Sequence, residues 1–146
     1  MRLVIQRVLE ASVKVDDDIV GAISRGLLIL VGFHKDDKKE AIDYLVKKLV
    51  SLRIFSDEEH RMNKNVGDIN GNILLVPQFT LYANCTKGNR PSFDAAMVPE
   101  IAHQFFNEFV DRLALAYSQK IQTGIFGAHM KVSLVNDGPV TVIIDA

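Results

Sequence analysis

The chain has 146 residues, 48% of them apolar and 24% charged, which is the size and composition of one compact core, so a single domain over 1–146 is expected. Its 17 Lys and Arg against 18 Asp and Glu leave a formal net charge of −1, which excludes a nucleic-acid binder that works through a global basic field; any such contact must come from a local patch. The one cysteine, Cys85, excludes an intrachain disulfide, the start MRLVIQRVLEASV lacks a secretory-type segment, and apolar runs such as Leu27 to Val31 are too short for a bilayer, so a cytoplasmic protein without a membrane partner is expected.

Residues 2–8, 12–15 and 19–23 read as short strands, because β-branched residues alternate with polar ones and Asp16-Asp17-Asp18 supplies turn chemistry. Residues 27–33 are apolar throughout, which suits a strand buried on both faces. Asp37 with Glu40 three residues later has the form of a capping box, and Ile42, Leu45, Val46 and Leu49 recur at helical spacing, predicting a helix over 38–51. A short strand at 52–55 and a polar surface loop from Ser56 to Asn72 follow.

A strand at 73–79 leads to a Gly- and Asn-containing segment, Asn84 to Phe93. Pro99 suits the first position of a second helix over 99–118, with Ile101, Phe105, Phe109 and Leu113 on one face. The chain closes with strands at 130–136 and 140–145, joined by a tight turn at Asn136-Asp137-Gly138-Pro139. Strand groups interrupted by two amphipathic helices predict an α+β fold with a mainly antiparallel, barrel-like sheet; without repeated βαβ spacing a doubly wound fold is not expected.

No phosphate-loop, dinucleotide, nucleophile-elbow or HExxH motif is present. His34, His60, His103 and His129 are scattered, and one cysteine cannot build a thiolate site, so neither metal nor cofactor is expected. Nothing near Cys85 marks its thiol as an activated nucleophile.

Three segments together resemble the D-aminoacyl-tRNA deacylase family: Leu75-Val76-Pro77-Gln78-Phe79-Thr80-Leu81-Tyr82, Lys87-Gly88-Asn89-Arg90-Pro91-Ser92-Phe93 and Asn136-Asp137-Gly138-Pro139-Val140-Thr141. Their order and spacing, with Met1-Arg2 to Gln6-Arg7-Val8, Gly26-Leu27-Leu28, Leu52-Arg53-Ile54-Phe55 and Gly124-Ile125-Phe126-Gly127-Ala128-His129-Met130, extend the likeness over essentially the whole chain. One departure is Pro77, where the family's motif usually has Ser, which removes a hydroxyl and a backbone N–H.

The resemblance implies a homodimeric hydrolase that cuts the ester of D-aminoacyl-tRNA, and of glycyl-tRNA mischarged on tRNA(Ala), as chiral proofreading in translation. Such an ester is intrinsically labile, so positioning and oxyanion stabilisation suffice without a protein nucleophile. The resemblance makes Gln78, Phe79 and Thr80 the pocket and main-chain donors; Thr80 is not favoured as nucleophile, since no base is evident and the substrate's 2′-hydroxyl can assist. It makes Gly138 and Pro139 a cis dipeptide inserted into the partner's site to reject L-substrates, supported by Arg7, Val140 and Thr141. Lys87, Arg90 and Lys131 are expected at phosphates, and Phe126 and Met130 at the terminal adenine of the aminoacylated tRNA 3′ end.

Read locally, Gly138-Pro139 is an ordinary turn, Phe79 and Leu81 are inward residues of a strand, and Phe126 and Met130 are core. Two other functions compete: a non-catalytic RNA- or protein-binding module on the same fold, and a deacylase of relaxed chirality, which Pro77 suggests.

Overall fold

The structure is a computed structural model that describes all 146 residues. A long strand, β1 (Arg2–Val15), is the axis of the main sheet. One edge of β1 pairs antiparallel with β2 (Asp18–Ile23) near its end and with β3 (Gly26–Gly32) near its start. The other edge pairs antiparallel along its whole length with β8 (Met130–Asp145). Beyond β3 the sheet continues in parallel through β6 (Asn72–Pro77) to β7 (Ile121–Thr123). A Cβ on Gly21 of β2 would lie 2.9 Å from the Thr123 carbonyl oxygen, so this glycine lets the two ends of the sheet approach and nearly close a barrel.

The expected helices are present as α1 (Glu40–Ser51) and α2 (Pro99–Ala116), the second opening on Pro99. Each belongs to a connection between parallel neighbours, α1 from β3 to β6 and α2 from β6 to β7, so the sheet is mixed. Both helices nevertheless pack into the same apolar cluster, which is why the fold is not doubly wound. Lys39 and Arg112 both pair with Glu108, and Arg112 also with Asp43, tying the helices together.

The two-period of β3 explains its uninterrupted apolar run. Leu27, Ile29 and Val31 join the helices, Phe55 and Ile73 in one cluster; Leu28 faces the barrel interior with Val8, Val13, Leu74 and Val76 in the other. In β1 the register with β8 steps from Val8–Asn136 to Glu10–Val135, leaving Leu9 as an extra residue. That bulge shifts the phase, so Ala11 and Val13 fall on the same face as Val8.

Several expected boundaries differ. Strands 2–8 and 12–15 are one strand, because the bulge bends β1 without breaking its pairing. The capping box does not form: the Asp37 carboxylate accepts instead from the Met1 ammonium at 2.5 Å and from the His34 N–H at 2.7 Å, leaving Lys39 at the helix start without a side-chain cap. The polar stretch after Ser56 holds a small hairpin of β4 (Phe55–Ser56) and β5 (Met62–Lys64). Tyr117 pins the following loop, donating from its buried hydroxyl toward Gly71 O (2.7 Å) and Val66 O (3.1 Å), and burial pushes its ionisation upward. Tyr117→Phe should therefore cost about 1–2 kcal/mol in urea unfolding by leaving the Gly71 carbonyl unpaired, since Val66 O keeps its bond from Gly71 N–H at 2.9 Å. A loss below a few tenths would mean that water replaces the hydroxyl.

Residues 130–136 and 140–145 are not two strands around a tight turn. Both halves of β8 run antiparallel to β1, so the chain never reverses. Between Asn136, which faces Val8, and Thr141, which faces Gln6, the four residues Asp137 to Val140 stand opposite Arg7 alone and bulge from the sheet.

Candidate functional site

Strand β6 stops at Pro77, which faces Val31 and has no N–H to extend the ladder; Gln78 N–H takes over, donating to Val31 O at 2.8 Å. The chain then turns into a short 3₁₀ helix, Phe79–Tyr82, and does not continue as strand. Phe79 is 57% exposed and not an inward strand residue.

A cavity of about 440 Å³ opens here, beyond the C-terminal ends of β3 and β6. Its floor is Val31, Phe33 and Met97; Gln78, Phe79 and Phe93 form one wall, and Phe126 with Gly127 another. Phe79 and Phe93 meet edge to face at 5.1 Å, whereas His103 stacks on Phe126 at 4.7 Å. The lining is mostly apolar, so hydrogen bonds made inside act in a low dielectric. Phe93 sits in the quoted Asn89-Arg90-Pro91-Ser92-Phe93 segment and could have been assigned from it. Gly127 likewise follows Phe126 in a segment that carries the resemblance, whereas Phe33 and Met97 carried no such signal, being indistinguishable in sequence from core residues.

Thr80 lies outside the cavity wall, and its side chain accepts a hydrogen bond from Gln78 Nε2. An amide N–H cannot take a proton, so this contact does not activate the hydroxyl. Phe79 and Thr80 begin the 3₁₀ turn, and first-turn N–H groups have no partner within a helix, which makes them available to a ligand oxygen.

Phe126 is at the cavity as expected, packed also against the main core and Phe106. Met130 is not brought to it: Met130 packs on the barrel-interior cluster, with its sulfur beside Gly124. Lys87 and Arg90 lie on the exposed excursion between Asn84 and Ser92, which pair with each other next to Phe93. Lys131 is exposed on β8 opposite Lys14. Cys85 is exposed, and no cluster of three His, Cys, Asp or Glu side chains could hold a metal ion.

The Gly138-Pro139 segment is built separately. Its peptide bond is cis, and Gly138 has φ +125°, a region that side chains rarely adopt. Arg7, only 8% exposed, donates from Nε to Asp137 O at 3.1 Å and from Nη1 to Ile54 O at 2.7 Å, and pairs with the Asp137 carboxylate. Asn136 closes the bulge from the other side: its Oδ1 accepts from Val140 N–H at 2.9 Å, and its Nδ2 donates to Thr141 Oγ1 at 3.3 Å. Asn136 was missed as a supporting residue, although an Asn before a Gly-containing turn is the residue type that bonds its own backbone. Val140 packs against the main core, so the bulge is anchored at both ends.

Within one chain the bulge and the cavity do not meet. On the β1–β3 ladder Arg7 faces Leu27, whereas the cavity's Val31 faces Leu3. Four residues of strand separate them, about 13 Å at roughly 3.3 Å per residue.

Comparison with known proteins gives a consistent picture. The D-aminoacyl-tRNA deacylases of Thermosipho africanus and Flavobacterium psychrophilum are 53% and 55% identical over all 146 residues, which span 97% of each relative. A solved structure described as c-Myc DNA unwinding element binding protein superposes with TM-score 0.95 at 40% identity, covering 100% of this chain and 99% of that one. A probable eukaryotic D-amino acid tRNA deacylase shares the fold, with TM-score 0.85 at 19% identity over 99% of this chain and 98% of that one. No helix is long and apolar enough to cross a membrane. The family model for D-Tyr-tRNA(Tyr) deacylase matches residues 4–145, and the chain belongs to that family.

Proposed function

We propose that this protein is a D-aminoacyl-tRNA deacylase that hydrolyses the ester between a D-amino acid, or glycine, and tRNA, and that it works as a homodimer with Gly138-Pro139 of each subunit completing the partner's pocket. The observation that carries the reading is the bulge opposite Arg7. It is held by Arg7 and Asn136, leaves Gly138 and Pro139 exposed, and sits away from its own pocket. Such a segment serves a site only when a second copy brings it there.

The terminal adenine enters the apolar cavity and stacks with Phe126, while the ester carbonyl lies over the start of the 3₁₀ turn. The N–H groups of Phe79 and Thr80 stabilise the oxyanion that forms as water attacks; the electron pair of the breaking C–O bond leaves with the ribose oxygen, which takes a proton. The partner's Gly138 and Pro139 carbonyls accept from the substrate's α-ammonium. An L-side chain would then run into those carbonyls, a D-side chain points to solvent, and glycine has nothing to reject.

Lys87 and Arg90, on the excursion beside Phe93, contact phosphates near the acceptor end. With a net charge of −1 there is little field to grip the tRNA body, so tolerance of tRNA identity is expected. One tRNA charged in parallel with D-tyrosine, L-tyrosine or glycine tests the reading. Release of D-tyrosine and glycine, with L-tyrosine spared, is the expected pattern. Release of L-tyrosine at a similar rate would instead establish relaxed chirality, and binding without any release would establish a non-catalytic module.

A further inference from the structure

The 3₁₀ turn that carries the Phe79 and Thr80 N–H groups is four residues long, and its leading end is the looser one: Leu81 N–H reaches Gln78 O at 3.4 Å, whereas Ala83 N–H closes the far end on Thr80 O at 3.0 Å. It lies close over β3, where a Cβ on Gly32 would stand 3.0 Å from Gln78 O and 3.0 Å from the Leu81 Cβ. From β1 a side chain holds both its main chain and its last ring. Arg2 donates from Nη1 to Leu81 O at 3.1 Å, and its guanidinium lies 5.4 Å from the centre of the Tyr82 ring. His34 meets the same ring edge to face at 5.1 Å, and burial pushes the Tyr82 hydroxyl up to about 12.

Arg2 is itself fixed by a two-pronged pair with Asp145, Nε to Oδ1 at 2.7 Å and Nη2 to Oδ2 at 3.1 Å, and Arg2 and Asp145 face each other on the β1–β8 ladder. One planar group thus joins the end of β8, the strand that bears Gly138-Pro139, to the turn at the pocket.

We propose that Arg2 is a positioning residue for the deacylation, holding the Phe79–Tyr82 turn so that its leading N–H groups stay aimed at the ester. The proposal rests on the deacylase reading and deepens it. Arg2 touches no reacting atom; it acts through Leu81 O and the Tyr82 ring. Its pair with Asp145 is about half exposed, and exposed pairs contribute little to global stability, so loss of Arg2 should change the turn more than the fold. The hydrogen bond from Arg2 holds the Asp145 carboxyl below the ordinary range. The tie is therefore complete above about pH 4 and is lost only as pH falls through Asp145's lower folded value.

The test compares wild type, Arg2→Ala, Arg2→Lys and Asp145→Asn by D-tyrosyl-tRNA deacylation, thermal unfolding and amide hydrogen exchange. Arg2→Ala should lower kcat about tenfold, a fraction of what a full ångström of misplacement costs, with KM changed less than about twofold. Exchange should accelerate at residues 80–83 while β3 and β6 stay protected. Arg2→Lys should recover only part of kcat, because one ammonium cannot serve Asp145, Leu81 O and the ring together. Asp145→Asn should shift kcat and exchange the same way by less, and it carries the test if Arg2→Ala does not fold. A kcat within twofold of wild type, or exchange that accelerates equally across β3 and β6, would overturn the proposal. If the wild type itself releases no amino acid, the deacylase reading fails, and local exchange at 80–83 alone decides whether Arg2 holds the turn.

Discussion

Gly138→Ala should cut D-tyrosyl-tRNA deacylation by about 100-fold or more, the scale of loss expected when a positioned group moves by about 1 Å. The added Cβ would lie 2.8 Å from Val140 Cγ2 and 3.0 Å from Arg7 Nη2, and φ at this residue is +125°. An alanine cannot hold that backbone without roughly 1–3 kcal/mol of strain, and neither neighbour is free to retreat. Val140 is packed on the core, and the Arg7 guanidinium is tied to Ile54 and Asp137. The bulge must therefore shift as a unit, carrying the Pro139 carbonyl with it. Because the bulge lies about 13 Å of strand from its own pocket, a change confined to it should alter turnover only if a second copy inserts it. Mixing inactive Gly138→Ala with a pocket-blocked variant offers the cross-check: hybrid dimers that regain one intact site should regain activity. Full activity in Gly138→Ala alone would refute the filter.

The helices and the doubly buried strand were legible because each has a period that local sequence records, as with Ile42, Leu45, Val46 and Leu49 or the alternating faces of Leu27 to Val31. The capping box at Asp37 was not, since the carboxylate is drawn away by Met1 and His34, partners that only the fold brings near. Likewise Asn136-Asp137-Gly138-Pro139 has turn composition, and nothing local distinguishes a reversal from a bulge. The difference lies in a partner 130 residues away: β1 pairs with both halves of β8 and holds the chain on course.

The same limit applies to the site. Gln78, Phe79 and Phe126, expected together from the resemblance, line one cavity, whereas Met130, six residues from Gly124, packs on the barrel-interior cluster. Residue type alone could not tell an adenine platform from a core methionine. Phe79 shows the reverse error: strand alternation would bury it, yet Pro77 ends the ladder two residues earlier and frees the chain to turn.

Arg7→Leu should destabilise the protein by about 2–4 kcal/mol and take the D-specific activity with it. Arg7 is the one buried charged residue, at 8% exposure, and every donor it uses answers a specific acceptor: Ile54 O, Asp137 O and the Asp137 carboxylate. Leucine fills part of the space and satisfies none of them. Ile54 O would be left buried without a partner, whereas the Asp137 side chain, 31% exposed, can recover some hydration, which holds the loss below that of a fully enclosed pair. Arg7→Lys should fall between, since an ammonium can reach the Ile54 carbonyl or the Asp137 carboxylate but does not present the fork that serves both. Urea midpoints at one fixed protein concentration provide the measurement, because the dissociation of the proposed dimer would otherwise contribute to the apparent stability. Adding Asp137→Asn separates the charge from the rest: if the double variant is more stable than Arg7→Leu, the uncompensated carboxylate is part of the cost. A loss under about 1 kcal/mol with selectivity intact would mean that Asn136 and Val140 hold the bulge by themselves, and Arg7 would cease to be its anchor.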